Sequence, residues 1–274
     1  MASVNRRVLP GFSLTLGYTV FYLTVLVLLP IAACFFKAAS LSFNDFWAAV
    51  WTDRARAAYL LTFGAAFIAA VVNMFLGLLL AWVLVRYEFP GKKVVDSLVD
   101  LPLALPTAVG GLVYAALYVP NGWLGRYLVP LGVHGAYSRF GVVLVLVFVG
   151  LPFVVRTVQP LLEDLDPEAE EAGASLGGTR WQTFWYIILP TLYPALITGF
   201  ALAFSRGVGE YGSVVFVSGN MPYKTEIAPI LIVARLEEFA YGEATAIAVV
   251  LLVVSFLLLV LINLVERWSI RHER

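Results

Sequence analysis

A positive and a negative residue, Arg206 and Glu210, stand four positions apart inside a long apolar stretch of the sequence. A charge at the centre of a bilayer costs about 2.5–3.5 kcal/mol on insertion scales, so charged residues in such stretches indicate a functional role by default. The four-residue spacing also places both side chains on one helix face, where they can pair with each other. The pattern leaves open a role in moving a charged solute and a purely structural salt bridge.

Residues for catalysis or metal binding within this chain are few. The two histidines, His134 and His272, and the single cysteine, Cys34, are too dispersed for a clustered metal site. Arg206 and Glu210 are accompanied by no nucleophile–base pair, which disfavours a membrane-embedded enzyme. We therefore predict a chain that is not an enzyme, with no catalytic residues, no metal and no cofactor of its own.

A loop that cradles the phosphates of ATP is also missing from the sequence. The Walker A pattern ends in Gly-Lys followed by Ser or Thr. Only Lys224 among the lysines is followed by such a residue, and Tyr223 precedes it where glycine is required. If ATP and Mg²⁺ power this protein, they must bind a partner chain.

Composition indicates a membrane protein. The 274-residue chain is 61% hydrophobic and 13% charged, with a formal net charge of zero. An ordinary soluble domain is about a quarter charged, so most of this surface must face lipid. The zero net charge provides no basic footprint of the kind that nucleic-acid binding requires.

Six apolar stretches approach or exceed the roughly 20 residues that a helix needs to cross a bilayer. They cover residues 12–36, 58–85, 95–119, 139–159, 186–217 and 243–266. Pro102 and Pro106 interrupt the third stretch, and Pro190 and Pro194 interrupt the fifth. The predicted fold class is an all-α integral membrane protein with about six transmembrane helices in a single domain, 1–274.

The distribution of basic residues bears on orientation. With both termini in the cytoplasm, ten Lys and Arg residues fall on the inner side and seven in outer loops. The positive-inside rule then favours cytoplasmic termini, although a bias of this size also arises by chance.

The segment Asp166–Pro190, named here the acidic hairpin, is predicted to form two short helices. Asp166 is a good N-cap and Pro167 suits the first helical position. Gly177-Gly178 supplies a stop, and Thr179 with Gln182 three residues later predicts a capping box for the second helix.

The first helix of the hairpin has an acidic face and a narrow apolar stripe of mostly small residues, Ala169, Ala172 and Leu176. Helices that lie on a bilayer carry basic polar faces and bulky apolar ones. We therefore expect a groove in a partner protein to hold this helix, and a surface-lying connector is the alternative.

The hairpin resembles the loop that identifies ABC importer permeases: Glu-Ala-Ala, three residues, Gly, nine residues, Ile, one residue, Leu-Pro. The matching residues are Glu171-Ala172-Gly173, Gly177, Ile187 and Leu189-Pro190, with Gly173 in place of the third alanine. Glycine within a helix costs about 1 kcal/mol relative to alanine, so Gly173 is expected to loosen this one. In that family the loop is the coupling helix, which seats in a cleft of the ATPase. The resemblance implies a cytoplasmic coupling loop at 160–190 and an ATPase-docking set of Glu170, Glu171, Ala172, Gly173, Leu176 and Gly177.

Further segments resemble the T-type permease subunit of sulfate/thiosulfate importers. They are Arg7–Phe12, Arg86–Gly91, Asp100–Pro102, Leu105–Val109, Pro152–Pro160 and Gly209–Gly212. The resemblance implies a type I ABC importer permease (MetI-like) fold in the bacterial inner membrane, carrying sulfate or thiosulfate into the cytoplasm. The implied partners are two ATPase subunits, a second, non-identical permease, a periplasmic sulfate-binding protein and the lipid bilayer.

A path for sulfate needs hydrogen-bond donors and a modest positive potential. Arg206 with Ser205, Glu210 beside them, and Thr107 at the proline break are the candidates for it. Two other functions stay open: a molybdate or tungstate permease, with two identical copies, and an autonomous channel or secondary transporter. The latter would have no reason to carry a coupling loop.

Four polar positions and two glycine pairs carry structural expectations. Asp100 is expected to cap a helix, and Asn73 to hydrogen-bond a neighbouring helix. Arg156 and Gln159 are expected to be interfacial anchors or supports of the coupling loop. Gly110-Gly111 and Gly207-x-Gly209 are expected to allow close helix packing rather than to bind a dinucleotide.

Overall fold

A computed structural model describes residues 12–272, which are largely helical. The α-helices of this part of the chain are α1 Phe12–Leu23, α2 Leu29–Ala39, α3 Phe43–Val50, α4 Asp53–Arg86, α5 Lys92–Val99, α6 Leu101–Ala104, α7 Thr107–Tyr118, α8 Gly125–Leu128, α9 Arg139–Glu163, α10 Pro167–Ser175, α11 Arg180–Thr183, α12 Leu189–Val208, α13 Val214–Val217, α14 Ala228–Glu237 and α15 Tyr241–His272. The π-helical segments Thr24–Leu28 and Phe184–Ile188 join α1 to α2 and α11 to α12, and a 3₁₀ turn, Val129–Leu131, follows α8. The all-α prediction is confirmed.

Five helical stretches within residues 12–272 are long and apolar enough to cross a bilayer. They are Leu14–Ala39, Asp53–Arg86, Arg139–Glu163, Arg180–Val208 and Tyr241–Leu264. The short apolar helix Thr107–Tyr118 occupies part of the third predicted stretch, 95–119. The chain is therefore a multi-pass membrane protein.

The third and fifth predicted stretches are not continuous helices. Residues 95–119 divide among α5, α6 and α7. The break between α6 and α7 occurs because Leu105 takes an extended conformation (ψ 137°) before Pro106. The fifth stretch begins earlier, at Arg180, and its long helix ends at Val208. A turn over residues 209–213 then leads into the short helix α13.

Three helices, α4, α9 and α12, form the centre of the bundle. Small residues let their backbones approach closely, as is usual between membrane helices. A Cβ on Gly77 of α4 would lie 2.7 Å from Val154 Cβ of α9, and one on Gly199 of α12 would lie 2.5 Å from Thr157 Oγ1 of α9. This close packing fixes α4, α9 and α12 relative to one another, and the elements that follow them in the chain are positioned from this centre.

The end of α4 at Asp53 is tied to the segment that leads into α14. Arg54 Nε and Nη2 donate to the two carboxylate oxygens of Glu226 at 2.8 and 2.7 Å, and Glu226 is almost fully buried. The backbone N–H of Ala228 donates to Thr62 Oγ1 at 2.8 Å. These contacts hold one end of the bundle together, at the opposite end of α4 from the acidic hairpin.

Asn73 does not make the hydrogen bond expected of it. Its side chain is fully buried on α4, and neither amide atom has a partner in the described part of the chain. The neighbouring positions on α9 and α12 are Gly150 and Ala203, which offer no polar side-chain atom. A Cβ on Gly150 would lie 2.5 Å from Asn73 Nδ2, so the amide fills the space that the glycine leaves.

Gly150→Ala is expected to lower the free energy of unfolding by about 1–3 kcal/mol, the usual cost of overpacking a core. Adding Asn73→Ala should recover that loss, because it removes the clashing amide and a buried polar group without a partner. Thermal unfolding in detergent measures both. A double variant no more stable than Gly150→Ala alone would contradict this account of the packing.

Candidate functional site

The acidic hairpin is built as the sequence predicts. Asp166 accepts a hydrogen bond from the backbone N–H of Glu168 at 3.0 Å, and Pro167 begins α10. The capping box of α11 is complete, since Gln182 N donates to Thr179 Oγ1 at 3.3 Å and Thr179 N donates to Gln182 Oε1 at 2.8 Å. Local capping bonds therefore mark the start of both helices, as the sequence predicts.

The apolar stripe of α10 faces away from the protein. Ala169 and Ala172 are exposed, and Leu176 has 90% of its surface open. Glu171 lies beside them and is exposed as well. An uncovered leucine on an acidic helix of small residues is a surface suited to a protein groove.

Gly177 and Gly173 have different structural roles in the acidic hairpin. Gly177 has φ +81°, and the backbone N–H of Gly178 donates to Gly173 O at 3.0 Å, which closes α10 with a tight turn. Gly173 is partly buried, and a Cβ there would lie 2.9 Å from Ile187 Cδ1. Gly173 therefore lets α10 lie close to the π-helical segment that precedes α12.

Gly177→Ala is expected to destabilise the end of α10 by about 1–2 kcal/mol, because an L-residue is strained at positive φ. Gly173→Ala is the matched control, since the terminal methyl of Ile187 can move and alanine favours the helix by about 1 kcal/mol. Hydrogen exchange of the amides in residues 167–176 measures the difference. Equal protection in the two variants would show that the Gly177 turn does not hold the helix.

Glu170 lies on a different side of α10 from the exposed Glu171. Its carboxylate pairs with the guanidinium of Arg86 at the end of α4. The sequence predicts Glu170 as a member of the docking set and gives no sign of this partner, because the two residues lie 84 positions apart. Ion pairs between distant segments have no local sequence signal.

Arg156 joins α9 to the α5–α6 segment. It donates to both carboxylate oxygens of Asp100 at 2.9 and 2.6 Å, to Asp96 Oδ1 at 2.6 Å and to Gln159 Oε1 at 2.7 Å. Asp100 precedes α6, but its side chain makes no capping bond, so the predicted capping role is wrong. The arginine supplies a stronger, charged partner for that carboxylate.

Arg206 and Glu210 form the salt bridge that their spacing allows. Glu210 is only 1% exposed, and its Oε1 accepts from Ser213 N at 2.9 Å and Ser213 Oγ at 2.8 Å. Glu210 therefore holds the turn that ends α12, while Arg206 keeps about a third of its side chain exposed. One pair combines a structural carboxylate with an accessible cation.

The two helix interruptions of the bundle lie against each other. A Cβ on Gly212 would lie 2.2 Å from Thr107 Oγ1, and one on Gly111 would lie 2.2 Å from Ser213 O. The predicted close packing at the Gly110-Gly111 pair is thus confirmed at Gly111. Thr107 and Glu210 therefore border one junction between α7 and the 209–213 turn.

Ser205 lies one turn of α12 before the 209–213 turn, since Gly209 N donates to Ser205 O at 3.4 Å. It lines a cavity of about 280 Å³ between α12 and α15, together with Ile232 and Ser255. Its hydroxyl donates to Leu202 O at 3.0 Å within α12. Of the four predicted path residues, Thr107 and Glu210 border the junction and Arg206 reaches it through Glu210. The Ser205 hydroxyl is bonded within its own helix. Within residues 12–272, no group of three or more His, Cys, Asp or Glu side chains is arranged to hold a metal ion.

Comparison with known families gives a clear match. The family model described as binding-protein-dependent transport system inner membrane component matches residues 73–273. That range includes α7, α9, the acidic hairpin, the Arg206–Glu210 pair and all of α15.

Two solved structures share the fold. A bacterial ABC transporter involved in the import of the acidic polysaccharide alginate aligns with a TM-score of 0.78 at 16% identity, over 93% of this chain and 94% of that one. A bacterial alginate ABC transporter in complex with a pentasaccharide-bound periplasmic protein aligns with a TM-score of 0.77 at 19% identity, over 93% of each chain. The predicted type I importer permease (MetI-like) fold is confirmed.

Curated relatives are much closer in sequence. The sulfate transport system permease protein CysT of Synechocystis sp. is 53% identical over 93% of this chain and 89% of its own length. The protein of that name from Escherichia coli strain K12 is 46% identical over 96% of this chain and 95% of its own length. The chain belongs to the binding-protein-dependent transport system inner membrane components and, within them, to the group of the CysT permeases.

Proposed function

We propose that this chain is a membrane-spanning permease subunit that carries sulfate or thiosulfate from the periplasm to the cytoplasm, driven by ATP hydrolysis on separate subunits. The observation that carries the proposal is the exposed face of the acidic hairpin, where Glu171, Ala172 and Leu176 project and no residue of the described range 12–272 covers them. A capped helix with an open apolar stripe needs a host protein. The sulfate assignment is supported by the names of relatives at 46–53% identity.

The proposed assembly contains two ATPase subunits, a second homologous permease that is not identical to this chain, and a periplasmic sulfate-binding protein. ATP and Mg²⁺ bind the ATPase subunits. The acidic hairpin faces the cytoplasm, which places both chain termini on the same side. Arg54, Glu226 and the loop before α14 then lie at the periplasmic end.

The junction between α7 and the 209–213 turn is the proposed place where sulfate passes. Interrupted helices line solute paths in many transporters, because broken backbone is tolerated only against protein or a water-filled cavity. Arg206 keeps about a third of its side chain exposed there and provides a positive potential without a dense site. Weak binding suits a conduit, since an ion must leave as readily as it enters.

Uptake of labelled sulfate, in cells that depend on this chain, tests the substrate. Uptake should disappear when the chain is deleted and should be inhibited by thiosulfate but not by molybdate. Sulfate uptake that persists without the chain, or inhibition by molybdate at equal concentration, would refute the assignment.

Co-purification of the ATPase subunits tests the docking surface. Glu171→Lys and Leu176→Asp should each abolish co-purification, because one reverses a charge and the other places a charge in a buried apolar contact. Glu237→Lys is the matched control: Glu237 is also exposed, but it ends α14 at the other end of the bundle. Unchanged association in the two hairpin variants would contradict docking.

A further inference from the structure

The two adjacent glutamates of α10 have different surroundings. Glu171 is exposed on the face that carries Leu176. Glu170 is turned toward the bundle, with 28% of its side chain exposed, and pairs with Arg86. One glutamate is thus available to a partner protein and its neighbour is already bound within this chain.

Arg86 is held in place by a second contact. It is the last residue of α4, where a cation interacts favourably with the helix dipole. Its guanidinium lies 5.2 Å from the centre of the Trp82 ring, one turn earlier on α4. The Trp82 ring in turn packs edge-to-face against Phe184 at a centroid distance of 5.6 Å.

Phe184 begins the π-helical segment that continues into α12. The chain Glu170–Arg86–Trp82–Phe184 therefore links α10 to α4 and to the start of α12. Both of these helices belong to the centre of the bundle. Single π-helical turns occur often at functional positions, because the wider turn is easily rearranged.

The covalent connection from α10 to α12 is poorly suited to transmit a movement. It passes through Gly177 and Gly178, and glycine backbones rotate easily. Within residues 12–272, the Glu170–Arg86 pair is the one ion pair between α10 and another helix. A partly exposed ion pair adds little to stability, so its value lies in fixing the position of α10.

We propose that the Arg86–Glu170 pair carries the displacement of the docked α10 helix to α4, so that α4 and α12 move together when the ATPase subunits close. Arg86 and Glu170 are positioning residues, distinct from the residues that contact the ATPase. The inference rests on the proposed function and names the internal contact by which docking reaches the membrane helices.

Charge exchange tests this link in the complete transporter, reconstituted in liposomes with its ATPase subunits and the sulfate-binding protein. Glu170→Arg and Arg86→Glu should each leave ATPase co-purification intact but lower the sulfate transported per ATP hydrolysed by about fivefold or more, the range of typical coupling between sites. The double variant Glu170→Arg/Arg86→Glu should restore the ratio, because the pair reforms with reversed charges.

Glu171→Arg is the matched control on the same helix. It should lose ATPase co-purification, and Arg86→Glu should not rescue it. If Glu171→Arg leaves co-purification unchanged, the proposed docking itself is wrong. If docking holds and the Glu170 and Arg86 variants keep a normal transport-to-ATP ratio, or if the double variant fails to recover it, the link is overturned.

A neutral substitution covers the case in which the reversed charges prevent assembly. Glu170→Gln keeps the size of the side chain and removes its charge. The complex should therefore assemble, but it should transport less sulfate per ATP hydrolysed. Arg86→Lys keeps the positive charge and should retain more of the ratio than Arg86→Gln. A normal ratio in both Glu170→Gln and Arg86→Gln would also overturn the proposal.

Discussion

Arg206→Met is expected to lower the free energy of unfolding by about 3–5 kcal/mol, the cost of leaving one partner of a buried ion pair alone. Glu210 is 1% exposed, and its Oε1 is occupied by the two donors of Ser213. Its other oxygen pairs with Arg206. Without the guanidinium, that charged oxygen stays buried beside an apolar side chain. Thermal unfolding in detergent, together with the yield of folded protein, measures the loss.

The double variant Arg206→Met/Glu210→Gln should recover most of this stability. Glutamine carries no charge, and its carbonyl oxygen can still accept both hydrogen bonds from Ser213. Replacement of a buried ion pair by uncharged residues of similar volume is often neutral or stabilising. A double variant as unstable as Arg206→Met would show that the pair is not what stabilises this turn.

Sulfate uptake by the double variant separates the two roles that the sequence leaves open. If the ion pair is purely structural, the double variant should be stable and its sulfate uptake should be normal. If Arg206 lies on the sulfate path, the double variant should be stable but its sulfate uptake should be reduced, because the positive potential is lost while the fold is kept. We expect reduced uptake, since about a third of the Arg206 side chain is exposed even though Glu210 is buried.

The parts of the site that the sequence predicts correctly depend on neighbours along the chain. Asp166, Thr179 and Gln182 cap helices through contacts within three residues, and Arg206 meets Glu210 one turn away. Such contacts follow from helix geometry alone. Gly177 belongs to the same class, because its turn is set by the residues on either side.

The parts that the sequence does not reveal depend on how distant helices meet. Arg54 pairs with Glu226, which lies 172 positions later in the chain. The side chain of Asp100 bonds to Arg156 and does not cap a helix. Asn73 faces Gly150 and Ala203 instead of a polar neighbour. Hydropathy likewise shows the prolines of the third stretch but not that Leu105 turns the chain there. Each of these outcomes requires the packing of α4, α9 and α12 to be known.

Gly111→Ala is expected to cost at least about 3 kcal/mol, at the upper end of what overpacking causes. A Cβ there would lie 2.2 Å from Ser213 O and 2.6 Å from Ser213 Cα, so the obstacle is backbone. The 209–213 turn would have to shift, and Ser213 would then lose its two hydrogen bonds to Glu210. The damage therefore extends to the buried ion pair.

Gly110→Ala is the matched control for that change. A Cβ at position 110 would lie 3.7 Å from Phe148, which is ordinary contact, so the variant should be as stable as the natural protein or slightly more stable. Thermal unfolding and sulfate uptake of the two alanine variants, compared side by side, measure the difference. Equal behaviour would mean that α7 does not press on the 209–213 turn.

Rescue by a second substitution distinguishes the close contact at Gly111 from the one at Gly150. At Gly150 the obstacle is the side chain of Asn73, so a second substitution can remove it. At Gly111 the obstacle is the carbonyl and Cα of Ser213, which every residue at position 213 retains. Ser213→Gly should therefore fail to rescue Gly111→Ala, while Asn73→Ala rescues Gly150→Ala. Rescue by Ser213→Gly would show that side-chain packing, and not backbone contact, joins the two interrupted helices.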